Sequence, residues 1–102
     1  MSVKISAICD TDDAGLKLMK AAKELNIDMK YEVQRDNVII NELSDEEIKS
    51  SDAILFVTQK EIEQIIDVER FIHMDYYQVV PVFIMQDAKS ILIEVRDDLK
   101  QQ

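Results

Sequence analysis

One stretch narrows the fold more than any other. Ala53-Ile54-Leu55-Phe56-Val57 is a continuous apolar run, bounded by Ser51-Asp52 before it and Thr58-Gln59-Lys60 after it. A run this short, with no polar alternation, reads as a central strand covered on both faces. Strands of that kind belong to parallel sheets, and parallel neighbours need crossover segments, usually helices, to connect them. The rest of the chain has the pattern to supply them.

Val3, Ile5, Ala7 and Ile8 form an opening β-branched run that predicts a first strand. After Thr11-Asp12-Asp13, the apolar residues Leu18, Ala22 and Leu25 recur at helical spacing, with Asp12 or Asp13 as the expected N-cap. Ile27, Met29, Tyr31 and Val33 alternate with polar residues, predicting a half-buried strand. Ser44-Asp45-Glu46-Glu47 has the spacing of a capping box and opens a short helix through Ile48. Ile62, Ile65 and Ile66 predict a third helical segment. Tyr77, Val79, Val80, Val82 and Phe83 predict a fourth strand, in which Pro81 marks a strand end or an edge because it lacks the ladder N–H. Ala88, Ile91, Leu92, Val95 and Leu99 give the clearest helical stripe in the chain. The order is strand then helix, four times over. It predicts a single α/β domain over residues 1–102, a three-layer sandwich with a four-stranded parallel sheet, doubly wound.

Composition excludes several classes of function. At 102 residues and 47% hydrophobic, the chain can bury a core. A single cysteine, Cys9, rules out a disulfide framework and a four-thiolate zinc site. Twelve Lys and Arg against 21 Asp and Glu give a net charge of -9, which repels phosphodiesters. No cluster of basic residues offsets it, so nucleic acid is not an expected partner. Apolar runs are a few residues long, so no direct membrane insertion is expected. Met1-Ser2-Val3-Lys4 lacks the apolar core of a secretory signal, and a cytoplasmic location is expected.

In open α/β sheets, ligands bind beyond the carboxyl ends of the strands, where the strand order reverses. The loop after the first strand is Cys9-Asp10-Thr11-Asp12-Asp13-Ala14-Gly15. A cysteine just before a helix N-terminus is placed where backbone N–H groups and the helix dipole can lower a thiol pKa and hold an anion. Position and residue type suit a thiolate that carries a phosphoryl group. The three acids within four residues of the sulfur oppose that role, since each repels a thiolate. The plain alternative is a strand-end cysteine with no chemistry. The same acids lack the later ligands of an EF-hand loop, and no metal or cofactor is expected. His73, the sole histidine, reads as a surface or packing residue.

Ala21-Ala22-Lys23-Glu24-Leu25, Lys30-Tyr31-Glu32-Val33-Gln34, and Asn41-Glu42-Leu43-Ser44-Asp45-Glu46-Glu47-Ile48 together resemble the fructose-type enzyme IIB domains of the bacterial phosphoenolpyruvate-dependent sugar phosphotransferase system. That family reads Lys-Val-Glu-Thr-Gln-Gly and then Glu-Asn-Glu-Leu-Thr at the same spacing. The similarity continues through Ser51-Asp52-Ala53-Ile54-Leu55 and at Asp67-Val68-Glu69-Arg70-Phe71, where the family has Asp-Leu-Glu-Arg-Phe. The resemblance implies the same parallel sandwich. It also implies a phosphoryl group taken from a phosphohistidine on a IIA protein, held on a cysteine, and passed to a sugar at a membrane IIC protein. The family's phosphocysteine loop reads Cys-Pro-Thr-Gly-Ile-Ala-His-Thr. By that resemblance Cys9 is the nucleophile, while Thr11, Ala14 and Gln34 are phosphate-binding positions. The loop departs from the pattern: Pro becomes Asp10, Gly becomes Asp12, Ile becomes Asp13 and His becomes Gly15. It is also several residues shorter, and aligning the first strand instead moves the nucleophile position towards Thr11. Two readings therefore stand. One is a phosphocysteine carrier working with IIA and IIC. The other is a phosphorylation-incompetent IIB-like regulatory or protein-interaction domain.

Overall fold

β1 (Lys4–Cys9) is the middle of the sheet, and its Ile5, Ala7, Ile8 and Cys9 are all buried. In the computed structural model, which describes residues 3–101, β1 is followed by α1 (Asp12–Glu24), β2 (Asp28–Arg35), β3 (Val38–Ile40) and α2 (Asp45–Lys49). Then come β4 (Ala53–Val57), two short 3-10 turns at Ile62–Gln64 and Val68–Phe71, β5 (Tyr76–Val79) and α3 (Pro81–Lys100). The sheet order is β3-β2-β1-β4-β5. β1 pairs in parallel with both β2 and β4, and β5 in parallel with β4, while β3 is antiparallel to β2. Every residue of the apolar run in β4 is buried, as a doubly covered central strand requires.

One face of the sheet carries Ile5, Ala7 and Cys9 against α1 and α3, with Leu18, Ala22, Leu92 and Val95 packed over them. The other carries Ile8, Ile54 and Phe56 against Ile48 of α2 and against Ile65 and Phe71 from the 3-10 region. Three layers result, as expected from the alternation of segments. The Ala88–Leu99 stripe lies on the core as predicted: Ala88, Leu92 and Val95 are buried, with Ile91 and Leu99 partly so.

Four local readings change. The sheet has five strands rather than four, because Asp36-Asn37 turns the chain back to form β3. Both turn residues have positive φ, 54° and 62°, the geometry of a two-residue hairpin. Among the described residues five positions take left-handed backbone, and Asn or Asp occupies every one of them, because the single glycine is used elsewhere. The third helix is not an α-helix: Ile62, Ile65 and Ile66 fall among two 3-10 turns. The fourth strand stops at Val79. Pro81 instead stands in the first turn of α3, where its missing N–H costs nothing, and Val82 and Phe83 are half exposed on that helix. Finally, Thr11 and not Asp12 or Asp13 is the N-cap of α1; the two acids sit in the first turn, favoured there by the helix dipole. α3 itself breaks at Asp87, whose carboxylate accepts from the Ser90 N–H and hydroxyl and so caps the second half of the helix.

Candidate functional site

The switch point of the parallel strand order lies between β1 and β4, so the two-residue connection Asp10-Thr11 occupies the position where such sheets bind ligands. The Asp10 N–H donates to the Val57 carbonyl at 3.1 Å, tying the connection to the end of β4. Thr11 is exposed, and its Oγ1 accepts from the Ala14 N–H at 3.3 Å. Ala14 is fully buried. Two of the candidate positions are thus joined to each other by the helix cap.

Cys9 lies beneath this connection rather than in it. Its register partners are Val33 of β2 and Val57 of β4, and its side chain belongs to the buried cluster under α1 and α3, at 0% exposure. Burial, followed by the charges of Asp10, Asp12 and Glu32, pushes its thiol from 9.0 up to about 12. The acids act in the direction expected from the sequence, but desolvation is the larger influence.

Gly15 is where the departure from the resembled motif finds its structural counterpart. The ring of Tyr31 lies against the backbone there so closely that a Cβ at position 15 would sit 2.1 Å from Tyr31 Cε2. Any side chain at position 15 would have to displace that ring. The Tyr31 hydroxyl reaches on to donate to Asp12 Oδ1 at 2.6 Å, a hydrogen bond that raises the phenol from 10.0 to about 12. Tyr31 and Asp12 therefore fasten the first turn of α1 down onto β2.

Gln34 is buried on the opposite face of the sheet from Cys9. β2 alternates, with Met29 and Tyr31 in the cluster under α1 while Glu32 and Gln34 face the 3-10 region. The Gln34 amide clamps one backbone residue: its Oε1 accepts from the Ile66 N–H at 2.8 Å and its Nε2 donates to the Ile66 carbonyl at 3.1 Å. Nε2 also donates to Glu32 Oε2 at 2.8 Å. Glu32, with no exposed side chain, accepts both guanidinium arms of Arg70, at 3.0 and 2.9 Å, and the Leu43 N–H at 3.0 Å. Burial is the largest single influence and pushes this carboxyl up. Arg70, Leu43 and Gln34 together outweigh it, leaving the group below its ordinary value.

The sequence reading did not assign Glu32 and Arg70 a role. A signal for them was present, since they are the acid of Lys30–Gln34 and the base of Asp67–Phe71, two separate stretches that carried the family resemblance. The fold brings those stretches together as one buried network. His73 is exposed on the turn before β5. Among the described residues no group of His, Cys, Asp and Glu side chains is arranged to hold a metal ion, and no helix is long and apolar enough to cross a membrane.

Fold and site together define a doubly wound α/β domain with its candidate site at the β1 switch point, a fold shared with solved enzyme IIB domains. The enzyme IIB subunit of the phosphotransferase system from Escherichia coli K12 is 27% identical, with 100% of each chain covered and a TM-score of 0.86. A domain of the fructose-specific IIABC component from Borrelia burgdorferi is also 27% identical, covering 92% of this chain and 93% of that one, with a TM-score of 0.78. A predicted fructose-specific IIB from Escherichia coli, 24% identical over 95% of this chain and 89% of its own, agrees in fold with a TM-score of 0.82. No protein-family model matches the chain, and no curated protein matches it in sequence. The resemblance read from the sequence is borne out in three dimensions: the chain shares its fold, over nearly its whole length, with fructose-type enzyme IIB domains.

Proposed function

We propose that this domain is a IIB-like protein-interaction domain that docks phosphotransferase-system partners in the cytoplasm without carrying phosphate on Cys9. The observation that carries the reading is the complete burial of Cys9 under α1. To accept a phosphoryl group, the thiol must lose its proton and its sulfur must form an S–P bond as the N–P bond of a phosphohistidine breaks. At a pKa of about 12, only about 10⁻⁵ of the thiol is ionised at neutral pH. The sulfur also has no open path to a phosphorus atom, since Cys9 is fully buried in the cluster that holds Ala14 and Leu18 of α1. The same first turn supplies carboxylates at Asp12 and Asp13, which repel an arriving phosphate. Thr11 and Ala14 are explained by the cap of α1, and Gln34 by its clamp on Ile66.

The competing reading, a phosphocysteine carrier between IIA and IIC, is favoured by the end-to-end fold agreement with an enzyme IIB subunit. A binding measurement separates the two. Isothermal titration of the domain with a fructose-type IIA protein is expected to give the same affinity whether or not that IIA is phosphorylated, and the same for Cys9→Ser. Affinity that depends on both the phosphohistidine and the thiol would favour the carrier.

A further inference from the structure

β5 is the outer strand on its side of the sheet, and among the described residues only β4 pairs with it. The Asp75 and Val79 carbonyls accept from Ile54 and Thr58 of the β4 side, so the backbone groups of Tyr76 and Gln78 between them point outward. On one face, this edge borders a cavity of about 280 Å³ lined by Phe56, Phe71, Ile72 and Tyr76, with Glu63 and Glu69 also in its wall. Ile72 there is 73% exposed. On the other face, the edge borders a groove of about 320 Å³ between β5 and α3, where Ile91 and Val95 meet Glu94 and Asp98. Among the described residues, Glu63, Glu69 and Glu94 form no salt bridge.

We infer that the β5 edge is a docking site for an extended segment of another polypeptide in which apolar residues alternate with Lys or Arg. Such a segment adds as a sixth strand through the N–H and C=O groups of Tyr76 and Gln78. Alternate side chains of an added strand project to opposite faces, so its apolar residues enter the cavity beside Phe56 and Tyr76 while its cations meet Glu94 and Asp98. The charge argument also selects against a second copy of this chain, since two chains of net charge -9 repel each other. This inference gives the proposed interaction domain a surface and a partner chemistry, and it stands independently of what Cys9 does.

The test is a ¹H–¹⁵N NMR titration of the full chain with an end-blocked Lys-Val-Lys-Val-Lys-Val peptide, with Glu-Val-Glu-Val-Glu-Val as control. The basic peptide is expected to shift the Tyr76 and Gln78 amides saturably and to slow their hydrogen exchange, while the acidic peptide does neither. Neutralising the cation-facing wall in E94Q/D98N is expected to weaken binding about tenfold. Gln78→Pro, which deletes an outward N–H and no ladder bond to β4, is expected to abolish it. Absence of shifts at β5, equal binding of both peptides, or unchanged affinity in the E94Q/D98N variant would overturn the inference. So would self-association of the free chain through β5 in sedimentation. The charge variant keeps the result readable if Gln78→Pro does not fold. No phosphorelay component is present, so a failure here leaves the Cys9 reading untouched, and the reverse holds as well.

Discussion

Cys9, Gly15 and Tyr31 decide what the β1–α1 connection can do. A thiol held at about 12 by burial and by neighbouring acids should alkylate slowly with iodoacetamide at neutral pH. Its pH–rate profile is expected to have a midpoint above about 9, since the free value is roughly 8.5; a midpoint below about 7 would contradict the account. Because the folded pKa is raised, Cys9 stabilises the fold fully below about 9, and that contribution is lost as the pH climbs towards about 12. At Gly15 two effects compete. Alanine gains roughly 1 kcal/mol of helix propensity over glycine, but its Cβ meets the Tyr31 ring at 2.1 Å. Overpacking of that kind costs about 1–3 kcal/mol, so Gly15→Ala is expected to lower stability in urea unfolding. In a Tyr31→Ala background the same substitution is expected to be neutral or stabilising. A stabilising Gly15→Ala in the wild-type background would show that the ring gives way freely.

Glu32, Gln34 and Arg70 fix the 3-10 region to β2, and α3 closes the opposite face. Removing one partner of a buried pair leaves the other uncompensated, a loss of roughly 3–5 kcal/mol, and Arg70→Ala is expected to fall in that range by chemical denaturation. The Glu32 carboxyl titrates below its ordinary value, so its stabilising effect is present above the unfolded pKa of 4.5 and disappears as the pH falls through the folded value. Glu32→Gln is therefore expected to be less stable at neutral pH and to show a shallower loss of stability in acid; an unchanged acid limb would contradict the assignment. Leu92→Ala, at a fully buried position of α3, is expected to cost about 2–5 kcal/mol. These elements also show what the sequence made legible. The α3 stripe and the β4 run were readable because burial imposes a period on them. β3 was missed because its turn uses Asp36-Asn37, a pair that tolerates positive φ but lacks the glycine that usually announces a hairpin. The 3-10 region imitated a helix because Ile62, Ile65 and Ile66 share helical spacing, yet it is anchored by Gln34 and Arg70 rather than by its own ladder.

Across the molecule, the three layers and the alternation of strand and helix were legible, while the arrangement of the candidate site was not. The sequence placed Cys9, Thr11, Ala14 and Gln34 near one loop. Strand alternation sends Cys9 and Gln34 to opposite faces of the sheet, and no spacing argument along the chain shows which face a strand-end residue takes. In the proposed reading a IIB fold is kept while its cysteine is withdrawn from phosphate chemistry. The most direct measurement is the intact mass of the protein after incubation with phosphoenolpyruvate and the general phosphorelay proteins plus a fructose-type IIA, with Cys9→Ser run alongside. No added phosphate is expected on the wild type while the IIA partner still binds. A stoichiometric gain of one phosphate that is absent from Cys9→Ser would contradict that reading.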